Sequence, residues 1–231
     1  MSVLKYIQLP FHFDVSRLQQ EVNELAAGHW QLHYQKLHYE GDWSAIPLRS
    51  VGGKADDIIV SPVDDAEYKD TVFLKEGGYI KEVLTVFECS LQAVRLLKLD
   101  AGAVIKEHRD AELSYEHGAI RIHIPVITNE EVEFYLSKER MNLKEGECWY
   151  MNFNLQHSIQ NKSSYDRIHL VIDAMVNEWV TELFTMPGLL KKETEEKGYD
   201  DETKRKIIAS LLKMNTETAN RLADEMEAGI N

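Results

Sequence analysis

The sequence has few cysteines, few cations and no long apolar run, and each shortage excludes a class of protein. Two cysteines, Cys89 and Cys148, are too few for a disulfide framework and indicate free thiols in a reducing compartment. The 26 Lys and Arg residues are outnumbered by 39 Asp and Glu, which argues against a nucleic-acid partner because phosphate binding needs cations. No apolar run approaches the roughly 20 residues of a membrane helix, and residues 1–18 show no signal peptide. We therefore expect a cytoplasmic location and no membrane partner.

What the sequence does contain is a β-rich middle part between two helical patterns. Its apolar fraction of 44% over 231 residues suits one catalytic domain with some additions. Residues 14–27 and 79–91 have the apolar spacing of helices. Glycine and proline interrupt residues 29–75, which predicts loops with a few short strands. From residue 92 onward, short segments rich in β-branched and aromatic residues alternate with turns, which is typical of an antiparallel barrel or jelly roll.

The C-terminal part differs in composition from this β-rich part. Beyond residue 178 the chain is strongly charged and helical in pattern. We therefore expect a mainly β fold with flanking helices, in which residues 1–178 form the jelly-roll domain with N-terminal helices. Residues 179–231 are expected to form a helical C-terminal extension. The sequence leaves open whether this extension is a lid, a dimer interface or simple packing, and whether the chain forms a homo-oligomer.

A candidate metal site begins with His108 and Asp110. Residues two apart in a strand point to the same face, so this imidazole and this carboxylate are predicted to aim at one point. His157 follows 47 positions after Asp110, far enough to return on another strand. Two histidines and one carboxylate on one side of a metal leave positions open, which is the arrangement of non-haem Fe(II) oxygenases. Glu112 shares the predicted face of Asp110 and stays an alternative ligand, whereas His33 is interpreted as a packing or surface histidine.

Two arginines strengthen this interpretation. A 2-oxoglutarate-dependent enzyme needs a cation for the distal carboxylate of this dicarboxylate, and Arg167, ten residues after His157, offers a persistent charge and a two-pronged fork. In the predicted strand 118–126, Arg121 and His123 share one face and isoleucines occupy the other. Burying Arg121 and His123 requires an anionic partner, which either a bound keto acid or a structural ion pair supplies.

Taken together, these residues resemble the aspartyl/asparaginyl β-hydroxylase family, and in particular its bacterial proline cis-4-hydroxylase branch. The resemblance covers residues 80–175 and has a specific motif order. Its motifs are Arg95, Gly102, Lys106-Glu107-His108-Arg109-Asp110, Arg121-Ile122-His123-Ile124-Pro125, Gly146-Glu147, His157 and Arg167. The fold that it implies is a double-stranded β-helix, a cupin-like jelly roll.

The resemblance also implies the cofactors and the residues that bind them. Fe(II), 2-oxoglutarate and O2 are the implied cofactor and co-substrates. The iron ligands are carried onto His108, Asp110 and His157, and the distal carboxylate of 2-oxoglutarate is carried onto Arg167. Animal members of the family lack the acidic iron ligand, so Asp110 favours the small-molecule or amino-acid branch.

For the substrate, the resemblance implies an amino acid or an amino-acid residue hydroxylated at a C–H bond, with release of succinate and CO2. Arg121 and His123 are implied to contact either the keto-acid end of 2-oxoglutarate or the substrate, and Arg95 is a candidate for a substrate carboxylate. Two alternatives remain. One is a cupin-like isomerase or dioxygenase that does not use 2-oxoglutarate, against which Arg167 and Arg121 argue. The other is a non-catalytic binding module whose C-terminal helices dock a partner.

Overall fold

The computed structural model describes residues 2–25, 28–60, 66–195, 201–214 and 216–228. Contacts divide the chain into two compact units. The larger unit is Val3–Thr194, and the smaller unit consists of Met1–Ser2 and Glu195–Asn231. No helix among the described residues is long and apolar enough to cross a membrane.

The described residues form fourteen strands and five α-helices. The strands are β1 (Ser2–His12), β2 (Gln31–Leu32), β3 (Tyr39–Glu40), β4 (Trp43–Val51), β5 (Tyr68–Asp70), β6 (Leu91–Leu99), β7 (Val104–His108), β8 (Ala119–Ile127), β9 (Val132–Leu136), β10 (Glu139–Met141), β11 (Glu147–Met151), β12 (His157–Asn161), β13 (Arg167–Met175) and β14 (Lys191–Glu195). The helices are α1 (Val15–Leu25), α2 (Tyr79–Leu84), α3 (Glu178–Thr185), α4 (Asp201–Met214) and α5 (Glu217–Glu227).

Two sheets make up the core of the larger unit. The larger sheet has the order β14-β1-β11-β8-β13-β6-β4-β2, with β5 paired to β4. The smaller sheet has the order β10-β9-β12-β7-β3. Pairs such as β13 with β6, β13 with β8 and β12 with β7 are antiparallel. One apolar cluster draws on both sheets, with Leu97 and Val171 from the larger and Ile105 and Phe134 from the smaller. The sheets therefore face each other as a double-stranded β-helix, as the sequence predicts.

A second apolar cluster covers the outer face of the larger sheet. It joins Ile122 and Leu170 of the sheet to residues of the three helices α1, α2 and α3, among them Leu18, Ile80 and Leu183. Because this outer layer is apolar, the opposite face of the same strands is free to carry polar side chains toward the interior between the sheets.

The alternation along β8 and β13 separates these two faces. The buried residues that these two strands place in the outer cluster are Ile120, Ile122, Ile124 and Val126 of β8 and Ile168, Leu170, Ile172 and Ala174 of β13. The residues between them include Arg121, His123, Arg167, His169 and Asp173, which line cavities on the inner side. The two faces predicted for residues 118–126 are thus confirmed on β8, and β13 shows the same alternation, so that the interior of the larger unit receives several charged side chains.

The structure confirms some of the predicted helices and loops and contradicts others. The helix at 14–27 is confirmed as α1, with residues 26 and 27 outside the described part. The helix predicted at 79–91 is wrong in its second half, since α2 ends at Leu84 and β6 begins at Leu91. In the stretch 29–75, whose residues 61–65 lie outside the described part, the nine-residue strand β4 was not predicted. Nor was the eleven-residue strand β1.

The smaller unit contains the helices α4 and α5. The Thr216 hydroxyl accepts a hydrogen bond from the Ala219 amide at 3.2 Å, which caps the start of α5. Ile208, Ala219 and Ala223 are its buried apolar residues among those described. The larger unit includes α3 and reaches Thr194, beyond residue 178. The division into functional domains at residues 178 and 179 stays a prediction.

Candidate active site

His108, Asp110 and His157 come together where β7 and β12 pair. His108 is the last residue of β7, His157 is the first residue of β12, and the two are register partners. Each of the three side chains offers a ligand atom within 4.8 Å of the others, and no other such group occurs among the described residues. The convergence predicted from the sequence is therefore present in the structure.

The route by which Asp110 reaches this group differs from the prediction. β7 ends at His108, so Asp110 lies in the loop that follows and not on a strand face. Its amide donates to the Phe153 carbonyl at 3.0 Å, which holds the loop against the chain segment before β12. Glu112, the alternative ligand, is exposed, has a φ of +62° and lies outside the group.

Backbone carbonyls orient both imidazoles. The Nδ1 atom of His108 is 2.7 Å from the Lys106 carbonyl oxygen, and that of His157 is 3.0 Å from the Leu155 carbonyl oxygen. Because a carbonyl oxygen only accepts, each Nδ1 carries a proton, and Nε2 is the ring atom left to ligate a metal. Burial lowers the pKa of His157 to about 4, which favours the neutral imidazole that a metal requires. Two imidazoles and one carboxylate fit a divalent transition metal.

Arg121 links this group to a second carboxylate. One of its guanidinium nitrogens is 2.5 Å from Asp110 Oδ2, and its Nε is 2.6 Å from Asp173 Oδ1. Burial raises the pKa of Asp110, but Arg121, His157 and His108 together outweigh burial and the net pKa is lowered, so Asp110 is ionised. The other Asp110 oxygen is 3.7 Å from His108 Nε2. Arg121 thus holds one carboxylate oxygen while the other faces the imidazoles.

Asp173 also binds Arg95. The distance from the Arg95 guanidinium to Asp173 Oδ2 is 2.6 Å, and Arg95 donates a further bond to the Ile58 carbonyl at 3.2 Å. Two arginines and two aspartates therefore form one buried network beside the metal-ligating group. Asp173 was missed by the sequence analysis, although the alternation that places Arg167 and His169 on one face of β13 also includes it.

Arg167 lies in a different electrostatic environment. It is six residues before Asp173 on β13, roughly 20 Å along the strand. Its guanidinium donates to His169 Nδ1 at 2.8 Å, and His123 Nδ1 is 3.2 Å from the same atom. No carboxylate pairs with Arg167 within the described part of the chain. Burial alone lowers its pKa to about 9, so Arg167 stays protonated at neutral pH.

Three cavities surround these residues. The metal-side cavity, of about 30 Å³, is lined by the metal-ligating group together with Arg121, His123, Phe153 and Arg167. The outer cavity, of about 430 Å³, is lined by Arg95, Asp110, Arg121 and Asp173, and also by His33 and Gln92. The far cavity, of about 380 Å³, is lined by Arg167 and His169 behind a rim that includes Arg140.

The structure therefore brings the seven predicted site residues to adjoining cavities. Their roles as ligands and binding residues stay predictions. His33, interpreted as a packing or surface residue, is buried and stacks on Trp43 with ring centroids 3.5 Å apart. Burial lowers its pKa to about 3, so it presents a neutral ring to the outer cavity. Sequence spacing alone could not show that His33 packs against Trp43 and lines the outer cavity.

Comparison with known proteins agrees with this geometry. The sequence model of the family described as Aspartyl/Asparaginyl beta-hydroxylase matches residues 12–176. The chain belongs to the aspartyl/asparaginyl β-hydroxylase family. The match includes all seven predicted site residues, and the family predicted from the sequence motifs is confirmed.

Several curated relatives are proline hydroxylases. L-proline cis-4-hydroxylase of Rhizobium meliloti (strain 1021) is 29% identical over 164 residues, which cover 70% of this chain and 57% of the relative. L-proline cis-3-hydroxylase 2 of Streptomyces sp is 28% identical over 137 residues, which cover 58% of this chain and 47% of the relative. The matched part of this chain thus spans about half the length of these relatives.

Likeness among solved structures is weaker. An oxidoreductase of the 2OG-Fe(II) oxygenase family from Burkholderia pseudomallei is 14% identical, with a TM-score of 0.49 over 75% of this chain and 88% of that chain. A similarity of this size carries no argument about function.

Proposed function

We propose that this protein is a non-haem iron dioxygenase that uses 2-oxoglutarate to hydroxylate a C–H bond of an amino acid or amino-acid residue. The observation that carries the proposal is one cavity lined both by a His-Asp-His group and by a buried arginine without a carboxylate partner among the described residues. The donor set matches a divalent metal, and the buried arginine beside it matches a carboxylate of a ligand that also reaches the metal.

Fe(II) is the proposed metal, held by His108, Asp110 and His157. When bound with 2-oxoglutarate and O2, it supplies the oxidation of substrate C–H to C–OH, coupled to conversion of 2-oxoglutarate into succinate and CO2. The chain contributes imidazoles oriented by backbone carbonyls, and an ionised carboxylate that accepts a hydrogen bond from Arg121. These contacts orient the ligands before the metal arrives.

Arg167 is the proposed partner of the distal carboxylate of 2-oxoglutarate. Its buried charge lacks a counterion among the described residues, and a carboxylate would provide one. His123 lines the metal-side cavity beside it, and Arg121 lines both the metal-side and the outer cavity. Arg121 and His123 are therefore proposed to contact either 2-oxoglutarate or the substrate.

The proposed substrate is a small molecule bound in the outer cavity. Arg95 lines this cavity, and its Nε has no hydrogen-bond partner within the described chain, so Arg95 is suited to a substrate carboxylate. Relatives named as L-proline hydroxylases support a free amino acid. A cytoplasmic location belongs to the same proposal, and the two free cysteines support it.

A cupin-like enzyme that does not use 2-oxoglutarate is the competing proposal. Such an enzyme has no need for a buried arginine whose charge is uncompensated, and leaving one without a ligand is costly. Direct binding separates the two proposals, because only the dioxygenase should bind 2-oxoglutarate through both the metal and Arg167.

The test is succinate formation from 2-oxoglutarate by anaerobically purified protein supplied with Fe(II), ascorbate and air. Addition of free amino acids one at a time should identify a substrate that raises succinate formation. Arg167→Ala should raise the KM for 2-oxoglutarate by roughly 100-fold through loss of a charge-assisted pair. Arg140→Ala, at an exposed residue on the rim of the far cavity, should leave this KM unchanged. Absence of succinate with every amino acid, while iron is bound, would contradict the proposal.

A further inference from the structure

His169 contacts the one interior arginine that has no acidic partner among the described residues. It lies two residues after Arg167 on the inner face of β13 and is 1% exposed. The guanidinium of Arg167 approaches its Nδ1 at 2.8 Å. Because a guanidinium only donates hydrogen bonds, His169 Nδ1 must accept, and its proton must be on Nε2.

The protonation of His169 follows from its surroundings. Burial first, and then the charge of Arg167, hold the pKa of His169 well below its ordinary value. The imidazole is therefore neutral, and it satisfies one donor of Arg167 without adding a negative charge. His123, also neutral for the same reasons, approaches the same nitrogen at 3.2 Å from the neighbouring strand β8.

The other two interior arginines, unlike Arg167, have acidic partners. Arg121 pairs with Asp110 and Asp173, and Arg95 pairs with Asp173. Arg167 is 2% exposed, and its Nε has no hydrogen-bond partner within the described residues. Its guanidinium is thus held in place by a hydrogen bond while its charge remains available to an anion. An acidic residue at position 169 would provide the same hydrogen bond but would neutralise that charge.

We propose that His169 is a positioning residue, a neutral acceptor that orients the Arg167 guanidinium while leaving its charge for the carboxylate of a dicarboxylate ligand. This inference rests on the proposed function, since it takes the distal carboxylate of 2-oxoglutarate as that ligand. The hydrogen bond fixes the fork of Arg167, and the neutrality of His169 sets the affinity for the anion. Substitutions of His169 can therefore alter the orientation of the Arg167 guanidinium and the charge beside it separately.

The experiment compares His169→Gln, His169→Leu and His169→Glu in the full chain. Calorimetry measures 2-oxoglutarate binding with Mn(II) as a redox-inert metal under anaerobic conditions, and Mn(II) binding alone reports whether each variant is folded. Gln retains a neutral acceptor, so its affinity should stay within about threefold of wild type, whereas Leu removes the acceptor and should weaken binding about tenfold. Glu pairs with Arg167 and should weaken binding by about 100-fold or more while Mn(II) binding persists.

The outcomes distinguish this inference from the proposed function. Failure of the wild-type protein to bind 2-oxoglutarate with Mn(II) bound would overturn the proposed function, and the role of His169 with it. Wild-type binding with equal affinities for His169→Gln and His169→Glu would overturn the role of His169 alone. If His169→Glu does not fold, the Gln and Leu variants decide: a clear loss in Leu alone supports the orienting role, and equal affinities overturn it.

Discussion

Asp173 connects the arginines of the outer cavity to the metal-ligating group. Its carboxylate accepts bonds at 2.6 Å from both Arg95 and Arg121, and Arg121 continues to Asp110. All of these groups are largely removed from water, so each charge depends on its partner for compensation. The loss of the Asp173 carboxylate would leave Arg95 without an acidic partner among the described residues and Arg121 with Asp110 alone.

We therefore expect Asp173→Asn to lower the free energy of unfolding by roughly 3 to 5 kcal/mol, the usual cost of breaking a buried ion pair from one side. Urea denaturation at neutral pH measures this loss. Asp166→Asn is the matched control, because Asp166 also pairs with a basic residue, Lys98, but its side chain is 43% exposed. The control should lose less than about 1 kcal/mol. Similar losses in both variants would show that the network contributes no more than a surface pair.

Metal binding provides the second prediction at this scale. Excess Mn(II), at about 1,000 times its Kd, should stabilise the folded state by about 4 kcal/mol and raise the Tm by about 10 °C, measured by calorimetry. Asp110→Asn should remove most of this increase, because it takes the carboxylate from the only such ligand group among the described residues. Glu112→Gln should retain the increase, and a selective loss in that variant would reassign the carboxylate ligand.

Single residues could be predicted from the sequence where spacing alone determines the geometry. His108 lies on a short strand, and strand alternation indicates which way its side chain points. Asp110, predicted on the same strand face, reaches the site from the following loop instead. The partners of Asp173 and His169 could not be predicted, because the strands that bring Arg121 and His123 beside them pair only in the folded sheet. Alternation predicts the face of a side chain but not its neighbour.

Glu139 lies in the smaller sheet and forms ion pairs with two lysines of the larger sheet. It lies on β10 and accepts bonds at 2.8 Å from Lys5 of β1 and from Lys192 of β14, and a bond at 3.2 Å from Tyr6. Burial raises its pKa, but the two lysines outweigh burial and lower the pKa to about 2. The contacts therefore stabilise the fold only while Glu139 is ionised.

Glu139→Gln should cost about 1 kcal/mol at pH 7, a modest value because the carboxylate is partly exposed and screened. Since its pKa in the folded state lies below the ordinary 4.5, its contribution is complete above about pH 4.5 and is lost as the pH falls toward 2. Urea denaturation at pH 7 and pH 3 should therefore show a smaller difference between wild type and variant at pH 3. Glu131→Gln, at an exposed residue of the β8–β9 loop, is the control and should change neither value. A difference that grows at pH 3 would contradict the assignment.

A helix or strand could be predicted from the sequence where the apolar pattern of its own residues is sufficient. The apolar spacing of α1 is sufficient to define a helix. By contrast, β4 contains Pro47 and was interpreted as loop, yet it pairs with β6 through a register shift between Pro47 and Arg49. Residues 79–91 continue an apolar pattern through the end of α2 into β6. Short apolar segments fit helix and strand equally well, and pairing across the sheet decides between them.

At the scale of the whole molecule, the two faces of the larger sheet have separate tasks. Its outer face packs against α1, α2 and α3 in an apolar cluster, and its inner face carries the arginines, aspartates and histidines of the site. Buried charges contribute little net stability, whereas apolar burial contributes most of it. Because the outer layer supplies apolar burial, the interior can hold charged side chains that are suited to ligand binding.

The two compact units yield the last prediction. All the candidate site residues lie between His33 and Asp173, within the unit Val3–Thr194. A chain that ends at Glu195 should therefore keep the Mn(II)-induced increase in Tm and the affinity for 2-oxoglutarate of the full chain.

A chain that ends at Thr185 is the matched control, because it also loses β14. It would lack the hydrogen bond from the Gln8 amide to the Leu190 carbonyl at 2.8 Å and the pair between Lys192 and Glu139. We expect this shorter chain to lose roughly 1 to 2 kcal/mol of unfolding free energy in urea, while the chain ending at Glu195 loses none of these contacts. Loss of Mn(II) or 2-oxoglutarate binding in the chain that ends at Glu195 would instead mean that the C-terminal helices contribute to the site, which would favour a lid or an interface over simple packing.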